Sequence, residues 1–344
     1  MMKNRKSCQP NIVIKLPNDI RDSISEKLYN LPASYDQERD PASLAIAAAS
    51  RIADLLDPCT QSQILDFREK RQSPYLLLRN FISTENIPPT PTNDTSPDTD
   101  SWRVQAAALL GLLHLSGYVA ASFQDEMGGR LCHMVMPAKN DEKSFLRSTK
   151  MLNFHTEVVN GYFGEDFPEC GQTVSPEAFG LICLRNPNGT PTTVLPLAKV
   201  LEKLDEETMT LLMKKKYTAC SQSSFDRNII IRNISVLNEL SNGTLGIRYS
   251  HSKLKGQDES AQLALNKVHA LLTDNPETIN VNLNPGDALI LNNRSCLHGR
   301  SAITDSATFD GLDRWLIRIY GFDRGAFSRM KKMESMKHVI LLNE

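Results

Sequence analysis

The sequence predicts an α+β protein, with helices first and an antiparallel β-sandwich or jelly roll after them. Three observations carry this expectation. Apolar residues recur at helical spacing through the first 70 positions, short strands punctuated by Gly, Pro and Asn dominate from residue 121 onward, and no βαβ rhythm of the kind that builds a parallel nucleotide-binding sheet is present. A chain of 344 residues exceeds the usual domain size, but β-rich cores often run large, so one core with appended helices accounts for it as well as two domains would.

The elements follow in order. Residues 11–16, NIVIKL, alternate weakly and stop at Pro17. Beyond it Ile20, Ile24, Leu28 and Leu31 approximate one helical face, and after Asp40-Pro41 the run ASLAIAAASRIADLL repeats the pattern with Leu44, Ala47, Ala48 and Ile52. TQSQILDFREK adds a turn or two, and YLLLRNF, residues 75–81, reads as a strand behind Pro74. Residues 86–100, NIPPTPTNDTSPDTD, are too rich in Pro, Thr and Asp to build a core, which leaves a surface loop and a lid over substrate both open. Residues 102–115 form a buried helix on which His114 reads as a packed side chain. Leu131, His133 and Val135 alternate after Gly128-Gly129, which is hairpin grammar for residues 121–137. Strands are expected within 179–197, at 229–237 and at 244–250, with helices at 205–217 and 259–277. The last strands lie in residues 284–321, where a Pro-Gly turn leads an apolar run into His298 and a second, alternating run carries Arg314 and Arg318.

Charge and cysteine usage exclude several classes. With 39 basic and 40 acidic residues and no long Lys/Arg block, a nucleic-acid partner is not expected, and Lys214 to Lys216 read as a solvated helix face. No stretch approaches about 18 uncharged apolar residues, and the basic N-terminus lacks an apolar leader, so neither a membrane nor a secretory route is expected. The seven cysteines, at 8, 59, 132, 170, 183, 220 and 296, are scattered and form no C-x-x-C pair. That argues against a disulfide scaffold and a zinc knuckle, and it fits a reducing cytoplasm.

His155 and Glu157 flank Thr156, a spacing that puts imidazole and carboxylate on one face of a strand. His298, near a strand end, supplies a third ligand type far along the chain. Two histidines and one carboxylate on one face of an octahedral ion leave three adjacent positions open, which suits iron(II), a bidentate oxo-acid and O2 better than it suits a hydrolytic zinc. The other reading, two unrelated structural histidines, stays open on spacing alone. Cys296 shares the face of His298 and reads as buried beside the site. An extended WLIRIY places Arg314 and Arg318 on one face, where two guanidinium forks match two carboxylates. A surface ladder in which Asp313 and Asp323 pair with these arginines is the alternative.

Four segments in fixed order, FHTE (154–157), LICLRNPNGTPTT (181–193), NNRSCLHGRS (292–301) and DGLDRWLIRIYG (310–321), resemble the clavaminate synthase-like group of Fe(II)/2-oxoglutarate oxygenases. These are relatives of taurine dioxygenase and include hydroxylases of free amino acids. The resemblance spans about residues 70–325. It implies a double-stranded β-helix, or jelly-roll, core with N-terminal and inserted helices. It also implies one oxygenase domain over 1–344, divided into an N-terminal helical region (1–70), the core with insertions (71–325) and a C-terminal tail (326–344). It further implies that His155, Glu157 and His298 hold Fe(II), that Arg314 with Thr192 or Thr193 binds 2-oxoglutarate, and that Arg318, Gln124 and Glu157 bind an amino-acid-like substrate. The cosubstrates would be 2-oxoglutarate and O2, and the products a hydroxylated amino acid, succinate and CO2. Because Glu157 is present, halogenation is disfavoured.

Two departures bear on specificity. The stretch between Glu157 and residue 179 is long and would reshape the pocket mouth or act as a lid over 158–178. The segment GIRYSHS, residues 246–252, lacks the paired aspartates with which arginine hydroxylases grip a guanidinium, unless Asp125, Glu126, Glu165 or Asp166 moves in. Desaturation on the same iron site is the nearest rival outcome. A zinc-dependent hydrolase and a noncatalytic jelly-roll binding protein are the rivals from other classes.

Overall fold

The computed structural model describes residues 11–70, 73–92, 99–138, 148–166, 174–303 and 306–342. Two β-sheets face one another, and helices cover the outside of each. The larger sheet has eight strands. Seven run in the order β1 (Ile12–Lys15), β2 (Tyr75–Arg79), β14 (Ala288–Asn292), β6 (Ala178–Arg185), β16 (Trp315–Phe322), β3 (Val119–Phe123) and β17 (Val339–Ile340), and β4 (His133–Val135) also pairs with β16. The smaller sheet runs β13 (Ile279–Val281), β7 (Thr192–Pro196), β15 (Cys296–Arg300), β5 (Leu152–His155). Apart from the β1–β2 and β17–β3 pairs the ladders of both sheets are antiparallel, as expected of a jelly roll. Two small sheets lie outside this pair: β12 (Leu254–Gly256), β8 (Tyr217–Cys220) and β9 (Ile230–Ile234) form one, β10 (Leu237–Glu239) and β11 (Leu245–Ile247) the other.

Period-two alternation distributes the side chains among three cores. Along β16, Trp315, Ile317 and Ile319 point outward to the helical layer, while Leu316, Tyr320 and Phe322 point between the sheets. Along β15, Cys296 faces inward and Leu297 faces the outer layer of the small sheet. β16 is therefore apolar on both faces along most of its length, and the polar residues that do point inward stand out. The helices α1 (Asn18–Tyr29), α2 (Pro41–Ala53), α3 (Pro58–Lys70) and α4 (Arg103–Leu115) cover the large sheet. The α2 helix starts on Asp40, whose carboxylate accepts from the Ser43 N–H, with Pro41 in its first turn. The α4 helix is buried from Gln105 to Leu113, which is why its pattern is apolar all round. The helices α5 (Leu197–Leu201), α6 (Glu206–Leu212) and α7 (Glu259–Leu272) back the small sheet, and α8 (Arg324–Arg329) follows β16.

Four features depart from the sequence expectations. TQSQILDFREK belongs to a full helix, α3, rather than to an extra turn. The helix expected over 205–217 ends at Leu212, because the Lys214–Lys216 turn lets the buried Tyr217 start a strand. Residues 121–137 do not form a hairpin: β3 and β4 both pair with β16, one after the other along its edge. Gly128 and Gly129, at φ of +67° and +78°, shape the break between them, and that break turns Glu126 inward. Both ends of the described chain add a strand to the large sheet, β1 ahead of the N-terminal helices and β17 within the C-terminal stretch. The described part of the 86–100 stretch is anchored, Thr90 donating to the Asp313 carbonyl and Arg185 to the Pro88 carbonyl. Its centre, residues 93–98, lies outside the described residues, as do 167–173 of the expected lid, Cys8 and Cys170.

Candidate active site

His155 ends β5, and His298 lies opposite it across the β5–β15 ladder. Their rings are 4.2 Å apart between centroids. Glu157, two residues past His155, brings Oε1 to 3.4 Å from His298 Nε2. One ligand atom from each of the three lies within 4.8 Å of the others. The backbone around them is held from outside the site. Asn293 accepts from the Glu157 N–H at 2.7 Å and donates Nδ2 back to the Glu157 carbonyl at 3.0 Å, while Thr156 donates its N–H to the Tyr249 carbonyl at 2.8 Å. The His155 ring donates from Nδ1 to the Asn153 carbonyl at 2.8 Å, which leaves the Nε2 lone pair free toward the cluster. Burial, and then the neighbouring His298, bring the His155 pKa down to about 4, so the ring is a neutral donor at pH 7. Two imidazoles and a carboxylate without thiolate fit iron(II).

The inward face of β16 supplies the charge. Arg318 donates from Nη1 to both Glu157 oxygens at 2.9 Å, and from Nη2 to Glu126 Oε1 at 3.1 Å and to His133 Nδ1 at 2.6 Å. Tyr320 adds its hydroxyl to Glu126 at 3.1 Å. Burial works against the Glu157 charge, but Arg318 and the two histidines outweigh it and hold the carboxyl well below the usual range. Glu126, fully buried, is raised by desolvation, because Arg318 divides its donors between two carboxylates. Its Oε2 has no partner. His133 donates Nε2 to the Arg130 carbonyl at 3.0 Å and so accepts from Arg318 on Nδ1, and burial brings its pKa down to about 3.

Arg314, on the same face, meets a different environment. It is 7 % exposed, no carboxylate among the described residues pairs with it, and its Nε has no partner. Burial lowers its pKa to about 10. Arg300, two residues past His298 on the same strand face, lines the cavity beside it and gives its Nη2 to the Ser148 and Lys150 carbonyls. Thr192 sits opposite Arg300 across the β7–β15 ladder and lines the cavity too. These residues share one cavity of ≈ 160 Å³ that opens to solvent. Phe179, Leu181 and Leu316 form its apolar wall, with the Phe179 ring 4.5 Å from that of His298.

Of the residues singled out from sequence, His155, Glu157, His298, Arg314, Arg318 and Thr192 line this one cavity. Thr193 does not: it lies on the opposite face of β7, its Oγ1 against Gly299. Gln124 is exposed, outside the cavity, and Glu126 two positions on turns in toward Arg318 instead. Cys296 is buried, its Sγ donating to the Asn292 carbonyl at 3.2 Å, and is not part of the ligand cluster. The alternative salt-bridge ladder is absent among the described residues: Asp313 accepts from the Thr308 and Phe309 N–H groups, and Asp323 pairs with Arg68. Arg300 was within reach of sequence reasoning, since it stands two residues from His298. Glu126 was named only as one of four acids that could move in, and His133 and Asn293 were given no role.

Comparison with known proteins places the arrangement. The family model described as taurine catabolism dioxygenase TauD, TfdA family matches residues 78–320. Clavaminate synthase 2 of Streptomyces clavuligerus is 29% identical over 254 residues, covering 72% of this chain and 73% of that enzyme. An L-ornithine/L-arginine 3-hydroxylase of Catenulispora acidiphila is 24% identical over 330 residues, 86% of this chain and 90% of that one. Among solved structures, asparagine oxygenase in complex with Fe(II), 2S,3S-3-hydroxyasparagine and succinate superposes with a TM-score of 0.81 at 21% identity, over 97% of this chain and 100% of its own. The non-haem iron oxygenase OrfP with Fe and alpha-ketoglutaric acid gives 0.77 at 22% identity, over 96% and 100%. These two share the double-stranded β-helix fold with the chain.

Proposed function

Since the chain belongs to the taurine catabolism dioxygenase TauD, TfdA family and is thus a non-haem iron(II)- and 2-oxoglutarate-dependent oxygenase, we propose that it hydroxylates an unactivated C–H of a free or lightly modified L-amino acid. The observation that carries the substrate reading is a pair of buried arginines: Arg314, immediately before β16 and without a carboxylate partner among the described residues, and Arg318, on β16 and backed by two carboxylates. The first asks for an external carboxylate. The second is a buried cation at the cavity wall whose Nε is unpartnered, beside Glu157, which offers an ammonium an acceptor. The ornithine/arginine hydroxylase and asparagine oxygenase, as their names state, are of a kind with that reading.

In this proposal His155, Glu157 and His298 hold iron. Bound iron supplies the oxidising chemistry, in which 2-oxoglutarate and O2 are consumed and succinate, CO2 and a hydroxylated C–H result. The chain supplies position and exclusion of water. Arg314, with the Thr192 hydroxyl and the adjacent Arg300, receives the distal carboxylate of 2-oxoglutarate, because an unpaired buried cation is costly until an anion meets it. Arg318 directs the substrate carboxylate. Its Nη1 and Nη2 are both engaged, so it is less open than the clamp expected from sequence, and only its Nε lacks a partner. Phe179, Leu181 and Leu316 keep the reacting region apolar. Fixing both ligands on one rigid strand limits the misplacement that costs about 100-fold per ångström.

We also propose that the whole chain acts as one catalytic unit. A reducing cytoplasm is supported by the five cysteines among the described residues, which are all free, and among those residues no helix is long and apolar enough to cross a membrane. The test is succinate release from 2-oxoglutarate with Fe(II) and O2 against a panel of L-amino acids, with mass spectrometry of the product. Stimulation by an amino acid and a gain of one oxygen atom are expected. Loss of two hydrogens would instead assign a desaturase.

A further inference from the structure

Resting on the amino-acid reading above, we infer that the substrate carries a second carboxylate at its far end, received by Lys253 with the hydroxyls of Ser250 and Ser252. All three line the same cavity as the ligand cluster. The turn that carries them is fixed beside the iron ligands: Ser250 bridges antiparallel to His155, and Tyr249 donates its N–H to Thr156 Oγ1 at 3.0 Å. The fold uses Lys253 through its backbone, whose carbonyl accepts from the Cys220 N–H at 2.9 Å. No carboxylate among the described residues pairs with its ammonium, and the side-chain hydroxyls of Ser250 and Ser252 carry no hydrogen bond there.

The acidic residues that could have opposed this are accounted for. Asp125 is held by a two-pronged pair with Arg227, Glu165 accepts from the Ser241 N–H, and Asp166 pairs with Lys215. Glu126 lies behind Arg318. Among the described residues Glu157 is the sole carboxylate lining the cavity, against Lys253, Arg300, Arg314 and Arg318. Counting Glu126 behind Arg318, four cations thus stand against two carboxylates, and an iron(II) ion with a 2-oxoglutarate dianion leaves that excess unchanged. A guanidinium or ammonium side chain would add to it, whereas a dicarboxylic amino acid reduces it. The selection is a difference of affinities built partly on repulsion of the wrong charge. Lys253 is therefore a specificity-determining residue for the reaction.

The measurement is kcat/KM for succinate formation with L-aspartate, L-glutamate and L-2-aminoadipate, set against L-glutamine, L-ornithine, L-lysine and L-arginine, in wild type, Lys253→Met and Lys253→Glu. A dicarboxylic substrate is expected to exceed its carboxamide or cationic counterpart by on the order of 10-fold. Lys253→Met should lose that margin mainly through KM, and Lys253→Glu should turn the preference toward the cationic side chains. Thermal unfolding should stay near wild type, because the fold uses only the Lys253 backbone. A wild-type preference for lysine, ornithine or arginine, or an acid-to-base ratio unmoved in Lys253→Met, overturns the assignment while leaving amino-acid hydroxylation standing. If no amino acid stimulates succinate release from a protein that binds 2-oxoglutarate, the amino-acid reading itself fails and takes this assignment with it.

Discussion

Arg318 reaches across the sandwich to Glu157 and gives Nη1 to both of its carboxylate oxygens at 2.9 Å, tying the carboxylate of the ligand cluster to the strand that Arg314 immediately precedes. Both partners are buried. Arg318→Met would leave Glu157 and Glu126 buried without a counter-ion, and breaking a buried pair on one side costs about 3–5 kcal/mol. Urea unfolding of the metal-free protein should show a loss of that order. Arg318→Lys keeps the charge without the planar fork and should fall between. A midpoint for Arg318→Met equal to wild type would mean that the pairing does not support the fold.

His133 gives the metal-free protein a pH dependence whose sign is set by its surroundings. Burial, reinforced by Arg318, lowers its folded pKa from 6.5 to about 3. Below pH 6.5 the unfolded chain takes up a proton that the folded ring refuses, so stability is full above that pH and falls as the pH drops toward 3. The slope is at most ~1.4 kcal/mol per pH unit for one proton. Denaturant titrations of wild type and His133→Gln between pH 7 and pH 4 should show a shallower decline in the variant.

How much of this was legible depended on whether the signal was local. The alternation of WLIRIY is a period-two pattern, so the shared face of Arg314 and Arg318 could be read directly. The His155–Thr156–Glu157 spacing put two side chains on one face, but only the order of four segments linked them to His298, because cross-strand pairing leaves no mark in either strand alone. Glu126, named only among four acids that could move in, and His133 were obscured for a different reason. The Gly128-Gly129 pair is the usual sign of a hairpin, and here it serves a break that turns an acid inward to meet Arg318. A buried ion pair between distant strands overrode the turn grammar, and no local pattern encodes that partnership. Gln124 attracted the substrate role through the resemblance, yet the inward turn falls two residues later.

Arg314 should show stability and function moving in opposite directions. It is a buried cation without a carboxylate partner among the described residues, so an apolar side chain of similar length relieves its desolvation. Arg314→Met is expected to unfold at the same or a higher temperature than wild type in the absence of 2-oxoglutarate. Its KM for 2-oxoglutarate should rise at least about 10-fold, the loss of one charge-assisted hydrogen bond or more. A variant that is destabilised but retains its 2-oxoglutarate affinity would reverse the assignment.

Gly299 sets the separation of the two histidine-bearing strands. A Cβ there would stand 2.6 Å from the Leu152 carbonyl oxygen and 3.0 Å from Thr193 Oγ1, so β5 would have to move and the Thr193 side chain to give slightly. The Leu152 contact is backbone and cannot rotate away. Gly299→Ala should cost about 1–3 kcal/mol, as overpacking does, and should weaken Fe(II) binding by displacing His298 from His155. Isothermal titration of the anaerobic protein with Fe(II), beside thermal unfolding, separates the two effects. Wild-type iron affinity in a destabilised variant would show that the cluster tolerates the shift.

The two threonines of β7 provide a comparison in which composition and position along the chain hardly change. Thr192 and Thr193 are adjacent, but strand pleat sends them to opposite faces: Thr192 lies opposite Arg300 on the cavity side, and Thr193 lies opposite Gly299 on the other. Valine replaces either hydroxyl with a methyl group at nearly constant shape. Thr192→Val should raise KM for 2-oxoglutarate several-fold, since a hydroxyl donor near the distal carboxylate is worth about 0.5–1.5 kcal/mol, with kcat little changed. Thr193→Val should leave both constants within error of wild type and affect only packing against Gly299. Equal effects from the two substitutions would mean that β7 presents the other face to the cavity.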